Sequence, residues 1–122
     1  MPLRDYRELR VWQTGMDLVQ EVYRITGGFP GHELYGLASQ MQRCAVSIPS
    51  NIAEGYTRNH LEEYLQHLSI ARASLAELNT QAEIASRISY VSAEEAVKIQ
   101  ATIESLSKQI YEGYWLDQST GA

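Results

Sequence analysis

His60, Glu63 and His67 stand at steps of three and four, which places them near one face of a helix in the manner of a metal site. Di-iron bundles, however, draw their ligands from Glu-x-x-His pairs and from glutamates on other helices, and no Glu-x-x-His occurs here. Helical pyrophosphohydrolases hold magnesium with carboxylates spaced Glu-x-x-Glu, and no two glutamates in this chain stand three apart. A glycine-rich phosphate loop, a serine nucleophile elbow and a Cys-x-x-Cys pair are all missing. The expectation is a chain without catalytic residues, metal or cofactor, with the two histidines and Glu63 as solvated or core-edge side chains. A metal-dependent bundle enzyme is the least favoured reading.

Two other groupings invite a functional reading. Gln40, Arg43, Ser47, Asn51, Glu54 and Arg58 fall within about 80° of one another when each residue is advanced by about 100°. A second line, His67, Ile70, Ser74, Glu77 and Gln81, recurs at similar steps on a later segment and is placed to face the first. One reading is a structural network in which Arg43 meets Glu54 or Glu77 and in which Asn51 and Ser74 complete the hydrogen bonds. The other is that the stripe sets subunit register or contacts a ligand. Arg4, Arg7 and Arg10 crowd the start of the chain, and with Arg24 and Arg58 they are candidates for a local nucleic-acid contact. The single cysteine, Cys44, lies among apolar neighbours and reads as a reduced, buried thiol.

The elements that must carry these residues are all helical. Leu9, Trp12, Met16, Val19 and Tyr23 recur at alternating steps of three and four, giving a first helix at about 7–26 with this set as its buried stripe. Val11, Leu18, Val22 and Ile25 lie beside it, so the apolar face is wider than one seam requires, and helix 1 should touch more than one neighbour. Gly27, Gly28, Pro30 and Gly31 reverse the chain. A second helix at about 32–57 carries Leu34, Leu37, Met41, Cys44, Ile48, Ile52 and Tyr56 inward. Pro49 inside it removes one backbone hydrogen bond, which predicts a kink, with a break into two short helices as the alternative. Helix 3 spans about 61–89 with Tyr64, Leu68, Ala71, Leu75, Leu78 and Ala82 inward. Ser92 and Glu95 have capping-box spacing and start helix 4, which carries Ala96, Ile99, Ile103, Leu106 and Ile110 on one face. It should end near 115, leaving 117–122 as a frayed tail. Short loops between long helices predict one all-α domain over 1–122, an antiparallel up-and-down four-helix bundle with helix 2 kinked at Pro49.

Composition agrees with a globular domain. Hydrophobic residues make up 44% and charged residues 20% of the 122. The charged opening and a longest uncharged stretch of only Cys44 to Ala53 argue against a signal peptide or membrane span, so the expected location is the cytoplasm. Net charge of −5 and a pI near 5.1 have the wrong sign for general coating of phosphate backbones, so nucleic-acid binding would need a local patch.

Several segments resemble one family. Leu9 with Val11-Trp12-Gln13, Phe29-Pro30 followed by Glu33-Leu34-Tyr35-Gly36-Leu37 and Gln40, and Ile70-Ala71-Arg72-Ala73-Ser74-Leu75-Ala76-Glu77-Leu78 are similar to its motifs. The most specific is Arg43-Cys44-Ala45-Val46-Ser47-Ile48-Pro49-Ser50-Asn51-Ile52-Ala53-Glu54-Gly55. This pattern, over about Leu9 to Ile110, resembles the bacterial four-helix bundle proteins first noticed in intervening sequences of 23S ribosomal RNA genes. The resemblance implies a kinked bundle, assembly into pentameric rings and no known catalytic activity. A related branch, accessory proteins of diversity-generating retroelements, binds nucleic acid and a reverse transcriptase through a basic surface, whereas this chain is acidic. The reading is thus a non-catalytic homopentameric binding or scaffold module, with itself and a protein as partners. The alternative is an RNA- or DNA-binding accessory protein.

Overall fold

The structure is a computed structural model that describes the backbone of residues 5–120 and the side chains of residues 5–113. Four helices carry the fold: α1 (Arg10–Thr26), α2 (Leu37–Thr57), α3 (Leu61–Arg87) and α4 (Ala93–Thr120). Single 3-10 turns at Tyr6–Glu8 and Gly31–Glu33 precede α1 and α2, and no strand occurs among the described residues. Each helix packs against the next in sequence, α4 returns against α1, and among the described residues the diagonal pairs show no close backbone approach. Paired contacts run in opposite chain directions, Cys44 with Ser74 and Asn51 with His67 between α2 and α3, and Gly15 with Pro49 and Thr26 with Gln42 between α1 and α2. This is the expected antiparallel four-helix bundle.

The core forms where the inner stripes meet. Leu18 and Val22 from α1, Met41, Ile48 and Ile52 from α2, Leu68 and Leu78 from α3, and Leu106 and Ile110 from α4 are essentially inaccessible to solvent. Burying each such side chain contributes roughly 1.5–3 kcal/mol. Ala45, Ala71, Ala82 and Ala85 are also buried and keep the helices close.

On α1 the two apolar sets exchange the roles that periodicity assigned them. Leu18, Val22 and Ile25 form the core stripe, while Met16 and Tyr23 are 37% and 50% exposed. The cause is Gly15, which contributes no apolar side chain yet sits at the centre of the packed face. A β-carbon there would lie 3.4 Å from the Pro49 ring, so α1 and α2 meet at this point. α2 runs through Pro49 as one helix, which removes the alternative of two short helices.

The helix ends follow local hydrogen bonding. Ser92 and Glu95 make the expected reciprocal cap, at 3.0 and 2.8 Å, and Asp5 with Glu8 makes a second one ahead of α1. α3 ends with Ser89 in the left-handed region at φ 64° and the Tyr90 N–H donating to the Ala85 carbonyl at 2.8 Å. α4 continues to Thr120 instead of ending near 115, since no proline interrupts it and the next glycine after Gly113 is Gly121.

α2 starts later than expected because of Glu33. Its Oε1 accepts the Leu37 N–H at 3.0 Å and occupies the space a Gly36 side chain would need, at 2.6 Å. Leu34 consequently lies in the connecting loop, 60% exposed, rather than on an inner helical face. Glu33 Oε2 accepts the Tyr90 hydroxyl at 2.9 Å, and the Phe29 and Tyr90 rings meet in a tilted contact with centroids 5.1 Å apart. One carboxylate therefore ties the α1–α2 loop to the α3–α4 loop. The Leu37 amide, the Tyr90 hydroxyl and nearby His32 hold Glu33 below the usual carboxylate range, while the same bond raises Tyr90. A lowered folded-state value means the stabilisation is present above about pH 4.5 and fades as pH falls below it. Urea midpoints of the wild type and Glu33→Gln should therefore differ most at neutral pH and converge on acidification, and a gap that widened in acid would contradict this role.

Candidate functional site

The signature segment 43–55 lies on α2, between α1 on one side and α3 on the other. On the α3 side its polar residues form a local relay. The Ser47 hydroxyl donates to the Cys44 carbonyl at 2.6 Å, and Asn51 Nδ2 donates to the Ser47 carbonyl at 2.8 Å. Asn51 Oδ1 faces His67 Nδ1 at 3.0 Å, so the imidazole N–H on Nδ1 is the donor. The Cys44 thiol donates to the Ser74 main-chain carbonyl at 2.9 Å. Burial and the nearby Glu77 carboxylate push that thiol up to about 11, so it is an inert neutral donor at neutral pH.

Gly55 makes this arrangement fit. A β-carbon there would lie 2.5 Å from the His67 β-carbon, inside any tolerable contact. His67 packs directly over the glycine, and its ring is thereby aimed at Asn51.

The expected ionic network takes a different form. Glu54 pairs with Arg58, one helical turn away, at 3.8 Å, and Arg58 also reaches Glu63 at 3.4 Å. Glu77 accepts from Gln81 Nε2 at 3.2 Å. Arg43 meets neither Glu54 nor Glu77; it is exposed and makes no ion pair among the described residues. Gln40 is exposed at the same edge, and Ser74 contributes its carbonyl rather than its hydroxyl. Arg58 was reachable from its own helix at i−4, which costs less side-chain ordering than a cross-helix pair.

The metal-like trio also separates. His67 turns to Asn51, Glu63 to Arg58, and His60 sits exposed just ahead of α3. No group of three metal-ligating side chains converges among the described residues.

The arginines do not gather into one patch. Arg4 lies outside the described residues. Arg7 is paired with Asp5 at 3.4 Å, and Arg58 lies between two carboxylates. Arg10 and Arg24 stand at opposite ends of α1, about 21 Å apart by helical rise.

The feature that periodicity did not pick out is an uncharged outer face between α1 and α2. Met16, Tyr23 and Val46 are exposed there, with Trp12 and Val19 half-buried beside them and Ser50 and Ala53 on the α2 side. The available signal was Gly15: once it marks the contact with α2, Met16 and Tyr23 must lie outside that contact.

Two substitutions test the α2–α3 contact. Gly55→Ala should destabilise the fold by about 1–3 kcal/mol through overpacking, and Asn51→Ala by about 1 kcal/mol through the lost His67 partner. His67→Ala should not rescue Gly55→Ala, because the collision is with the β-carbon. Chemical denaturation measures all three, and a fully rescued double variant would contradict the geometry.

No curated protein matches the chain. The sequence model of the 23S rRNA-intervening sequence proteins matches residues 7–112, a span that takes in α1, α2, α3 and most of α4. With that match over most of its length and with four packed helices, the chain belongs to the 23S rRNA-intervening sequence protein family.

Proposed function

We propose that the chain is a non-catalytic bacterial module of the cytoplasm that self-associates into a ring, pentameric as the family resemblance implies, and binds a partner through the surfaces of that ring. The observation that carries this reading is the α1–α2 outer face. Its exposed Met16, Tyr23 and Val46, with half-buried Trp12 and Val19 beside them, form an uncharged strip along the seam of α1 and α2. Apolar strips of this kind mark association surfaces. No helix among the described residues is long and apolar enough to cross a membrane.

A nucleic-acid role would require cations gathered on one face, whereas Arg7 and Arg58 are already paired and Arg10 and Arg24 stand far apart. Light scattering behind gel filtration, at two salt concentrations and with or without bacterial RNA, tests both readings together. The wild type is expected to elute as a multiple of its 13.8 kDa mass and to ignore RNA. Tyr23→Glu is expected to reduce it to a folded monomer. A wild type that stays monomeric across micromolar concentrations would overturn the assembly, and a salt-sensitive shift with RNA would put the accessory-protein reading first.

A further inference from the structure

α3 turns a second polar line toward α4. Advancing about 100° per residue from core-facing Leu75, Arg72, Ala76, Asn79 and Glu83 fall within about 60° of one another, on the flank away from Ser74, which touches α2. Side chains this small and polar leave the seam with α4 unfilled. A cleft of about 490 Å³ opens over Leu75 and Ile103, each only 3% exposed, with Ser69, Arg72 and Asn79 on the α3 wall and Ser107 on the α4 wall. Asn79 also lines a second cleft of about 510 Å³, bounded by Glu83 and Arg87 of α3 and Gln100 of α4, so the two join end to end. The groove from Ser69 to Arg87 is about 27 Å long by helical rise. Most of its polar groups are unengaged. Arg72, Asn79, Gln100 and Ser107 make no side-chain hydrogen bond or ion pair among the described residues, whereas Arg87 is taken by Glu83 at 2.9 Å. One uncompensated charge is left in the groove, and it is positive, on a chain whose net charge is −5.

We infer that the α3–α4 groove binds an extended segment of a partner protein, with Arg72 receiving an aspartate or glutamate and with Asn79 and Gln100 bonding to the segment's main chain. This rests on the partner-binding role proposed above, not on the ring, and names the surface and the partner's chemistry. The groove's length matches about eight residues of extended backbone. A side-chain amide presents a donor and an acceptor together, which is what a main chain without helical bonds of its own requires. Leu75 and Ile103 are so nearly covered that they give no seats for the large apolar anchors by which a helix docks. Charge complementarity selects the acid, because the Arg72 fork matches a carboxylate and the carboxylate that lines the groove, Glu83, is already held by Arg87. A nucleic-acid strand would find a single free cation here, too few to hold a phosphate backbone.

The probe is a library of random octapeptides displayed on phage, selected on the wild type and, separately, on Arg72→Glu. Arg72 and Ala76 are exposed, so Arg72→Glu and the groove-filling Ala76→Trp should keep the helical content and unfolding midpoint of the wild type. Selection on the wild type is expected to enrich peptides carrying an acidic residue, and selection on Arg72→Glu to enrich a basic residue in its place. A selected acidic peptide bearing a fluorescent label should bind Arg72→Glu about tenfold more weakly or worse, recover in part with Arg72→Lys, and lose measurable binding to Ala76→Trp. The same peptide is titrated against Tyr23→Glu, where equal affinity is expected because one chain holds the whole groove; equal binding by a monomeric wild type would remove the ring and leave the groove standing. Peptides that ignore both the charge at position 72 and the Ala76→Trp block, or a library that yields no binder, would overturn the inference whatever the mass of the wild type. Bacterial RNA retained by the wild type and released by Arg72→Glu would overturn it in favour of a nucleic acid.

Discussion

The contact between Gly55 and His67 governs how α2 and α3 lie together. The imidazole of α3 rests on a stretch of α2 that has no side chain, and the two backbones come closer than any alanine would permit. Only at that spacing does the Asn51 amide reach His67 at 3.0 Å and the Cys44 thiol reach the Ser74 carbonyl at 2.9 Å. On the opposite flank, Gly15 leaves room for little more than a methyl group beside the Pro49 ring. There the Thr26 hydroxyl accepts from Gln42 Nε2 at 3.0 Å while donating to the Val22 carbonyl. α2 is thus held on both sides by close approach rather than by bulk, and the long aliphatic side chains fill what remains.

The family signature acquires a physical reading from these contacts. Within residues 43–55, the cysteine, serine and asparagine hydrogen-bond along α2 or across to α3, the proline packs on α1, and the glycine admits the histidine. The earlier motif around Glu33 and Gly36 does comparable work at the bundle end, where a carboxylate caps α2 and catches Tyr90 of the other loop. Most of the recognisable sequence therefore serves to set helix spacing and to join loops. Arg43 stands apart from that work.

Much of the fold was legible because three of the four helices advertise their inner face plainly. Leu68, Leu75 and Leu78 on α3 and Ile99, Ile103 and Leu106 on α4 repeat at helical steps and are buried, and Ser92 with Glu95 forms the cap its spacing announces. α1 was misleading because two apolar sets compete on it and its tightest contact is a glycine, which carries no hydrophobic label. The polar stripe was legible as a stripe but not as a set of bonds. Which acceptor a long side chain takes depends on distances across helices that periodicity does not contain, so Arg58, not Arg43, took Glu54. His67 was legible as part of the polar line facing α2, but its seat was not, since the glycine that receives it lies twelve positions earlier on another helix.

The state of Cys44 has a practical corollary for anyone wishing to watch this molecule move. It is the sole cysteine of the chain, it is sealed between α2 and α3, and its thiol is held in the protonated form. A fluorophore or spin probe attached through a thiol introduced at the surface would thus report from one chosen position without first removing the native sulfur. The bundle comes with its background already silent, and distances between such probes in neighbouring copies can be measured on the otherwise unaltered chain.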